Sequence, residues 1–157
     1  MSATPSPQAR LQHKLDAMPP VRAMAATVAR CDGECLQLVA PLAANVNDKG
    51  CAFGGSLSGL MTLAAWGALT LRLEAAGIDA EVYVANCQVA FRAPVYEDIV
   101  AEAVLAPGQD WEAILARLRT RGRARAHMSA RILMAQAQVG AEMEAQFALI
   151  AAVAPHA

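Results

Sequence analysis

No charged side chain occurs between Gly50 and Leu71, and so long an uncharged stretch constrains the fold more than any other part of the chain. It reads as one helix from about Gly55 to Ala76, with Gly77 as its C-cap. A helix that is apolar all round belongs either in a membrane or in the middle of a core. Ala52 to Leu71 has about the 20 residues that a bilayer requires. However, Gly54, Gly55, Gly59 and Gly67 interrupt it, with Ser56, Ser58, Thr62 and Thr70 between them. The segments around it read as strands of a soluble sheet. The sequence therefore predicts a buried central helix and no membrane span.

Those strands are legible one by one. After a flexible segment over residues 1–8, residues 9–18 read as a short helix. Arg22 to Arg30 and Glu34 to Ala40 form two apolar runs joined by Cys31-Asp32-Gly33, a hairpin signal. Pro41 closes the second run. Glu81 to Ala93 is a long strand whose polar residues Asn86, Gln88 and Arg92 share one face. Asp98 to Leu105 follows as a strand. In Gln109 to Thr120 the residues Trp111, Ile114, Leu115 and Leu118 have helical spacing. Arg123 to Ala135 alternates between Ala124, Ala126, Met128, Ala130, Ile132 and Met134 on one face and Arg123, Arg125, His127, Ser129 and Arg131 on the other. A turn at Gln138-Val139-Gly140 leads to Glu142 to Ile150, which alternates again. Hairpin-joined strands favour an antiparallel sheet. A helix apolar all round needs that sheet curved about it. The fold class is thus α+β, in the hot-dog arrangement, as one domain over residues 1–157.

Charge and cysteine usage narrow the function. The 157 residues carry a formal charge of −1, which gives no global bias toward nucleic acid. Arg117, Arg119, Arg121, Arg123, Arg125 and Arg131 concentrate the basic charge. Such a series is a solvated face, or a patch that attracts an acidic partner. Cys31, Cys35, Cys51 and Cys87 have no metal-ligand spacing. With no secretory signal peptide, they read as four reduced thiols of a cytoplasmic protein that needs no metal and no cofactor.

The candidate chemistry lies where the polar loop Asn45-Val46-Asn47-Asp48-Lys49-Gly50-Cys51 runs through Ala52-Phe53-Gly54-Gly55 into the long helix. A helix N-terminus offers unpaired backbone N–H groups and a partial positive charge. Glycines let another group approach that backbone closely. The combination suits a carbonyl oxygen or a developing oxyanion. Asn45 and Asn47 add amide groups beside it, and also fit a second reading as turn residues bonding their own backbone. Ser56, Ser58 and Thr62 either face the site or bond a carbonyl one turn back. Cys51, with no His nearby in sequence, reads as a small buried residue rather than a nucleophile.

Several of these segments together resemble a known family. They are Pro41-Leu42-Ala43-Ala44-Asn45-Val46-Asn47-Asp48-Lys49-Gly50, then Phe53-Gly54-Gly55-Ser56-Leu57, Ala65-Trp66-Gly67 and Phe91-Arg92-Ala93-Pro94-Val95. They resemble the stand-alone hot-dog family of the YiiD C-terminal domain, over roughly residues 20 to 151. The resemblance implies acyl-thioester substrates on acyl carrier protein or coenzyme A. It also implies a homodimer, or a dimer of dimers, with active sites at the subunit interface. Thioester hydrolysis and malonyl-acyl-carrier-protein decarboxylation are the activities it brings. On this reading Asn45, Asn47, Gly55 and Thr62 are catalytic. Asp48, Phe53, Gly54, Ser56, Asn86, Gln88, Arg123 and Arg125 bind substrate. Asn86 and Gln88 either line the cleft across the dimer or pair on a sheet face.

The residue types then separate the two reactions. Hydrolysis needs a group that activates or positions water. Hot-dog thioesterases often carry an Asp or Glu on the central helix, where this chain has Thr62. Asp48 is the local carboxylate. Decarboxylation of a malonyl thioester needs stabilisation of an enolate and no strong base. The missing acid therefore favours decarboxylation, with hydrolysis as the alternative and a non-catalytic acyl-thioester binder as a third reading.

Overall fold

The computed structural model describes residues 3–152. Helix α1 (Pro7–Asp16) starts where the Ser6 side chain accepts from Ala9 N, with Pro7 at the first helical position. A second short helix, α2 (Pro19–Met24), follows. It occupies residues expected to begin a strand. Pro19 and Pro20 preset the helical φ, and Ala25 ends the helix in the left-handed region at φ 54°. Strand β1 (Thr27–Cys31) therefore starts late. It pairs with β2 (Cys35–Ala40) across the expected hairpin. There Asp32 Oδ1 accepts from Glu34 N and Cys35 N.

The long helix α3 (Gly54–Ala75) has 22 residues. Gly77, at φ 68°, closes it: its N–H bonds Glu74 O, and the N–H of Ile78 bonds Leu73 O, so the left-handed glycine satisfies the last carbonyls. Strands β3 (Ala80–Phe91) and β4 (Ile99–Leu105) come next. Helix α4 (Trp111–Arg121), capped by Asp110, separates them from β5 (Arg123–Leu133) and β6 (Val139–Ala151). The turn between the last two strands falls three residues earlier than expected. Gln136 and Ala137 carry it at φ 60° and 58°, and Met134 N bonds Gln138 O.

All strand pairings are antiparallel, in the order β1-β2-β4-β5-β6-β3. The inward residues of β5 and β6 are those that the alternation selected: Ala124, Ala126, Met128, Ala130 and Ile132 against Met143, Ala145, Phe147 and Leu149, all buried. They close on α3, whose Leu57, Leu60, Met61, Ala64, Ala65, Leu69 and Leu73 are buried around its circumference. Helix α1 covers the remaining side, placing Leu11 against Gly67, and Arg10 and Lys14 on Glu74. This is the hot-dog arrangement. Among the described residues no helix is long and apolar enough to cross a membrane.

Candidate active site

The loop before α3 is held by its own backbone and by Asn45. A 3-10 turn over Leu42–Ala44 is tied to the rest of the chain by Leu42 N bonding Asp98 Oδ1. Val46 and Ala52 form an isolated antiparallel bridge. Ala52 N bonds Val95 O, and Phe53 N bonds Asn45 O. The loop therefore hangs from one distant segment, the connection between β3 and β4 that holds Val95 and Asp98, and this sets its approach to the helix start.

Asn45 is 4% exposed. Its Nδ2 donates to Met24 O at 3.0 Å and Pro41 O at 2.8 Å. Both amide protons are thus engaged by backbone carbonyls, where the sequence led us to expect a donor aimed at substrate. Its Oδ1 is buried with no hydrogen-bond partner. Asn47 is likewise occupied: Oδ1 accepts from Lys49 N and Cys51 N, and Nδ2 donates to Cys51 Sγ. Asn47 thus bonds its own turn, whereas Asn45 ties the loop to Met24, 21 residues earlier in the chain. Asp48 lies at the loop tip, exposed and paired with Lys49 at 2.9 Å. Cys51 is buried.

At the helix start the first paired amides are those of Ser56 and Leu57, both bonding Phe53 O. The N–H groups of Gly54 and Gly55 occupy the first two helical positions, which have no intrahelical acceptor. They sit at the positive end of a 22-residue dipole. Two aromatic rings flank them. A Cβ added at Gly55 would run into the ring of Phe53, and one at Gly54 would lie 3.6 Å from the ring of Phe91. Both rings are themselves more than half exposed, Phe53 at 56% and Phe91 at 57%. Phe91 entered the sequence reading only as part of a motif. Its role as a wall beside Gly54 depends on where β3 ends against α3, which spacing does not encode.

Two hydroxyls near this start, those of Ser58 and Thr62, are committed to the helix. Ser58 Oγ donates to Gly54 O, and Thr62 Oγ1 donates to Ser58 O at 2.8 Å while resting on Met143 Sδ of β6. Ser56, in the first turn of the helix, is buried.

Asn86, Gln88, Arg123 and Arg125 stand elsewhere. Asn86 and Gln88 pair with Gln146 and Glu144 of β6, the residues opposite in direction to Met143, Ala145 and Phe147. They therefore share the outer sheet face with Arg123 and Arg125, which alternate with buried Ala124 and Ala126. On that face Arg125 Nη1 donates to Gln146 Oε1 at 2.9 Å, Ser129 Oγ to Glu144, and Arg131 pairs with Glu102. Gln37 also donates to Glu102, and these bonds hold its carboxyl below the usual range despite partial burial. Burial and the neighbouring Glu102 push the Cys35 thiol up to about 11. Among the described residues, no three His, Cys, Asp or Glu side chains gather as metal ligands.

The family model described as "Putative thioesterase (yiiD_Cterm)" matches residues 8–151. A protein of unknown function from Chlorobaculum tepidum TLS is 26% identical, with a TM-score of 0.85 over 91% of this chain and 93% of that one. A putative thioesterase from Shewanella oneidensis is 21% identical, with a TM-score of 0.82 over 92% and 97%. A thioesterase from Haemophilus influenzae is 13% identical, with a TM-score of 0.72 over 99% and 97%. The last two carry the fold alone. No curated protein matches the chain.

Proposed function

The chain belongs to the YiiD C-terminal family of thioesterase-like hot-dog proteins over residues 8–151, and we propose that it decarboxylates a malonyl thioester at the start of α3. The observation that supports this is the pair of amides, Gly54 and Gly55, which have no acceptor among the described residues; the carboxylates nearest in the loop, Asp98 and Asp48, are engaged with Leu42 N and Lys49. In the reaction the substrate thioester carbonyl oxygen sits on the two amides. The bond between C2 and the carboxylate carbon breaks, carbon dioxide leaves, and the electron pair becomes a thioester enolate. Its oxygen carries the new negative charge, where preorganised N–H groups and the helix dipole act most strongly. Water then protonates C2, giving the acetyl thioester, and the hydroxide left behind combines with the carbon dioxide as bicarbonate. Asn45 and Asn47 act by fixing the loop that sets the helix start. Phe53 and Phe91 supply the apolar walls.

The carrier is acyl carrier protein or coenzyme A. Arg117, Arg119 and Arg121 at the end of α4, followed by Arg123 and Arg125 on β5, are all exposed. We assign this strip to docking of an acidic carrier. The active assembly is a homodimer. Strand β3 is a sheet edge of 12 residues. Tyr83, Val84 and Phe91 on it, with Val46, Phe53 and Tyr96, are exposed large hydrophobics. Such an edge and such residues are usually covered.

Hydrolysis of an acyl thioester is the second reading, and the family description favours it. Thr62 Oγ1 donates to Ser58 O, so on this reading it positions water only by accepting from it, and Asp48 is the other candidate on the loop. One incubation separates the two. Carbon dioxide with an intact acetyl thioester supports decarboxylation, and free thiol supports hydrolysis. Neither product from malonyl or acetyl thioesters would remove both.

A further inference from the structure

The far end of α3 carries a feature that the loop chemistry does not use. A cleft of about 540 Å3 opens between the last turns of α3, the β1–β2 hairpin, α4 and the chain leading into α1. This lies within the usual size of small-molecule sites. Ala68, Leu71, Ala75, Leu36 and Leu115 make its walls largely apolar. Arg72 stands among them with its side chain 13% exposed. A cation so far out of water needs partners. It has three incomplete ones. The Trp111 ring lies with its centroid 5.6 Å from the guanidinium carbon. The C-terminal end of α3 contributes its partial negative charge. Glu34 Oε2 is 3.5 Å from Nη2, on a hairpin-tip side chain that is 89% exposed, so that pair is loose and well solvated on one side. The Arg72 Nε is buried with no hydrogen-bond partner. Nε and Nη2 form one edge of the guanidinium, the edge that grips a carboxylate with two parallel bonds. Glu34 touches a single corner of it.

We propose that this cleft binds a small carboxylate with an unbranched apolar body, such as a medium-chain fatty acid. The carboxylate takes the Nε–Nη2 edge of Arg72 in place of Glu34. The chain lies along Ala68, Leu71 and Ala75, successive positions on one face of α3. The site is separate from the Gly54 amides by the helix itself, about 27 Å for eighteen residues at about 1.5 Å each. It stands whichever reaction the loop performs.

The test is calorimetric titration of the whole chain with decanoate, using decanol and acetate as controls that lack the head or the body. Decanoate should bind, with decanol at least about tenfold weaker, the usual worth of a charged hydrogen bond, and acetate at least about tenfold weaker for want of the buried chain. Arg72→Met keeps the stem and removes the head. It should weaken decanoate by at least about tenfold and leave decanol unchanged. Glu34→Gln removes the competing carboxylate and should tighten decanoate. If Arg72→Met does not fold, Ala75→Leu fills the cleft and should abolish decanoate binding. No decanoate binding, equal binding by the wild type and both cleft variants, or displacement of decanoate by malonyl thioester would overturn the proposal.

Discussion

Asn45→Ala separates two roles for the most buried polar residue of the loop. In the structure its amide donates two hydrogen bonds, to Met24 O and Pro41 O. Losing them removes about 1 kcal/mol each, and leaving the carbonyls unpaired costs about 1–2 kcal/mol more. The substitution also deletes an Oδ1 that is buried without a partner, which returns about 1 kcal/mol. The net expectation is a loss of about 2–3 kcal/mol, or a fall in Tm of about 4–12 °C for a chain of this size. The assay is a thermal melt beside turnover of malonyl thioester measured well below the variant's Tm. A structural Asn45 gives the fall in Tm, with turnover per folded molecule reduced only as far as the helix start is loosened. A substrate donor gives an unchanged Tm and a loss of about 10²–10³ in turnover. That second pattern would refute the reading of Asn45 as the loop's anchor.

Gly54→Pro deletes one proposed oxyanion donor without breaking the helix, because proline suits the first helical position and Phe53 already has the extended ψ of 130° that precedes a proline. Turnover should fall by about 10²–10³ with Tm unchanged or raised, and full activity would exclude that amide. Thr62→Val should leave turnover unchanged, since its hydroxyl bonds its own helix; a large loss with free thiol as the product would favour hydrolysis. Charge reversal at Arg117, Arg119 and Arg121 should slow use of an acidic carrier protein more than use of a small thioester, measured at low salt. Asp32 is held down to about 2 by the Cys35 and Glu34 amides and by Arg30. Its folded pKa is below the ordinary 3.8, so the stability it contributes is present above that value and is lost as pH falls toward about 2. Asp32→Ala should therefore lower Tm at pH 7 and converge with the wild type in acid melts.

Much of the architecture was legible in the chain because it rests on local pattern. The uncharged run ending at Leu71 could only be buried, and the alternation in β5 and β6 assigned each side chain to a face before any partner was known. The hairpin at Asp32 and the left-handed stop at Gly77 are written in residues with specific backbone preferences. The first strand begins later than the apolar run from Arg22 because Met24 is as apolar in a helical turn opened by Pro19 and Pro20 as in a strand. The roles of polar residues were less legible, since a side chain's chemistry says what it can bond but not what stands opposite. Asn45 has the donors of an oxyanion hole, and tertiary structure points them at Met24 and Pro41, one of them 21 residues earlier. Asn86, Gln88, Arg123 and Arg125 have the right polarity for a substrate cleft, and β6 turns them to the outer face. The Arg72 cleft has no sequence signature, because it exists only where α1, the first hairpin, α3 and α4 converge. Sequence by itself determined which segments must be buried and what each can hydrogen-bond. Tertiary structure decided which donors were left free, because that depends on carbonyls brought in from far along the chain.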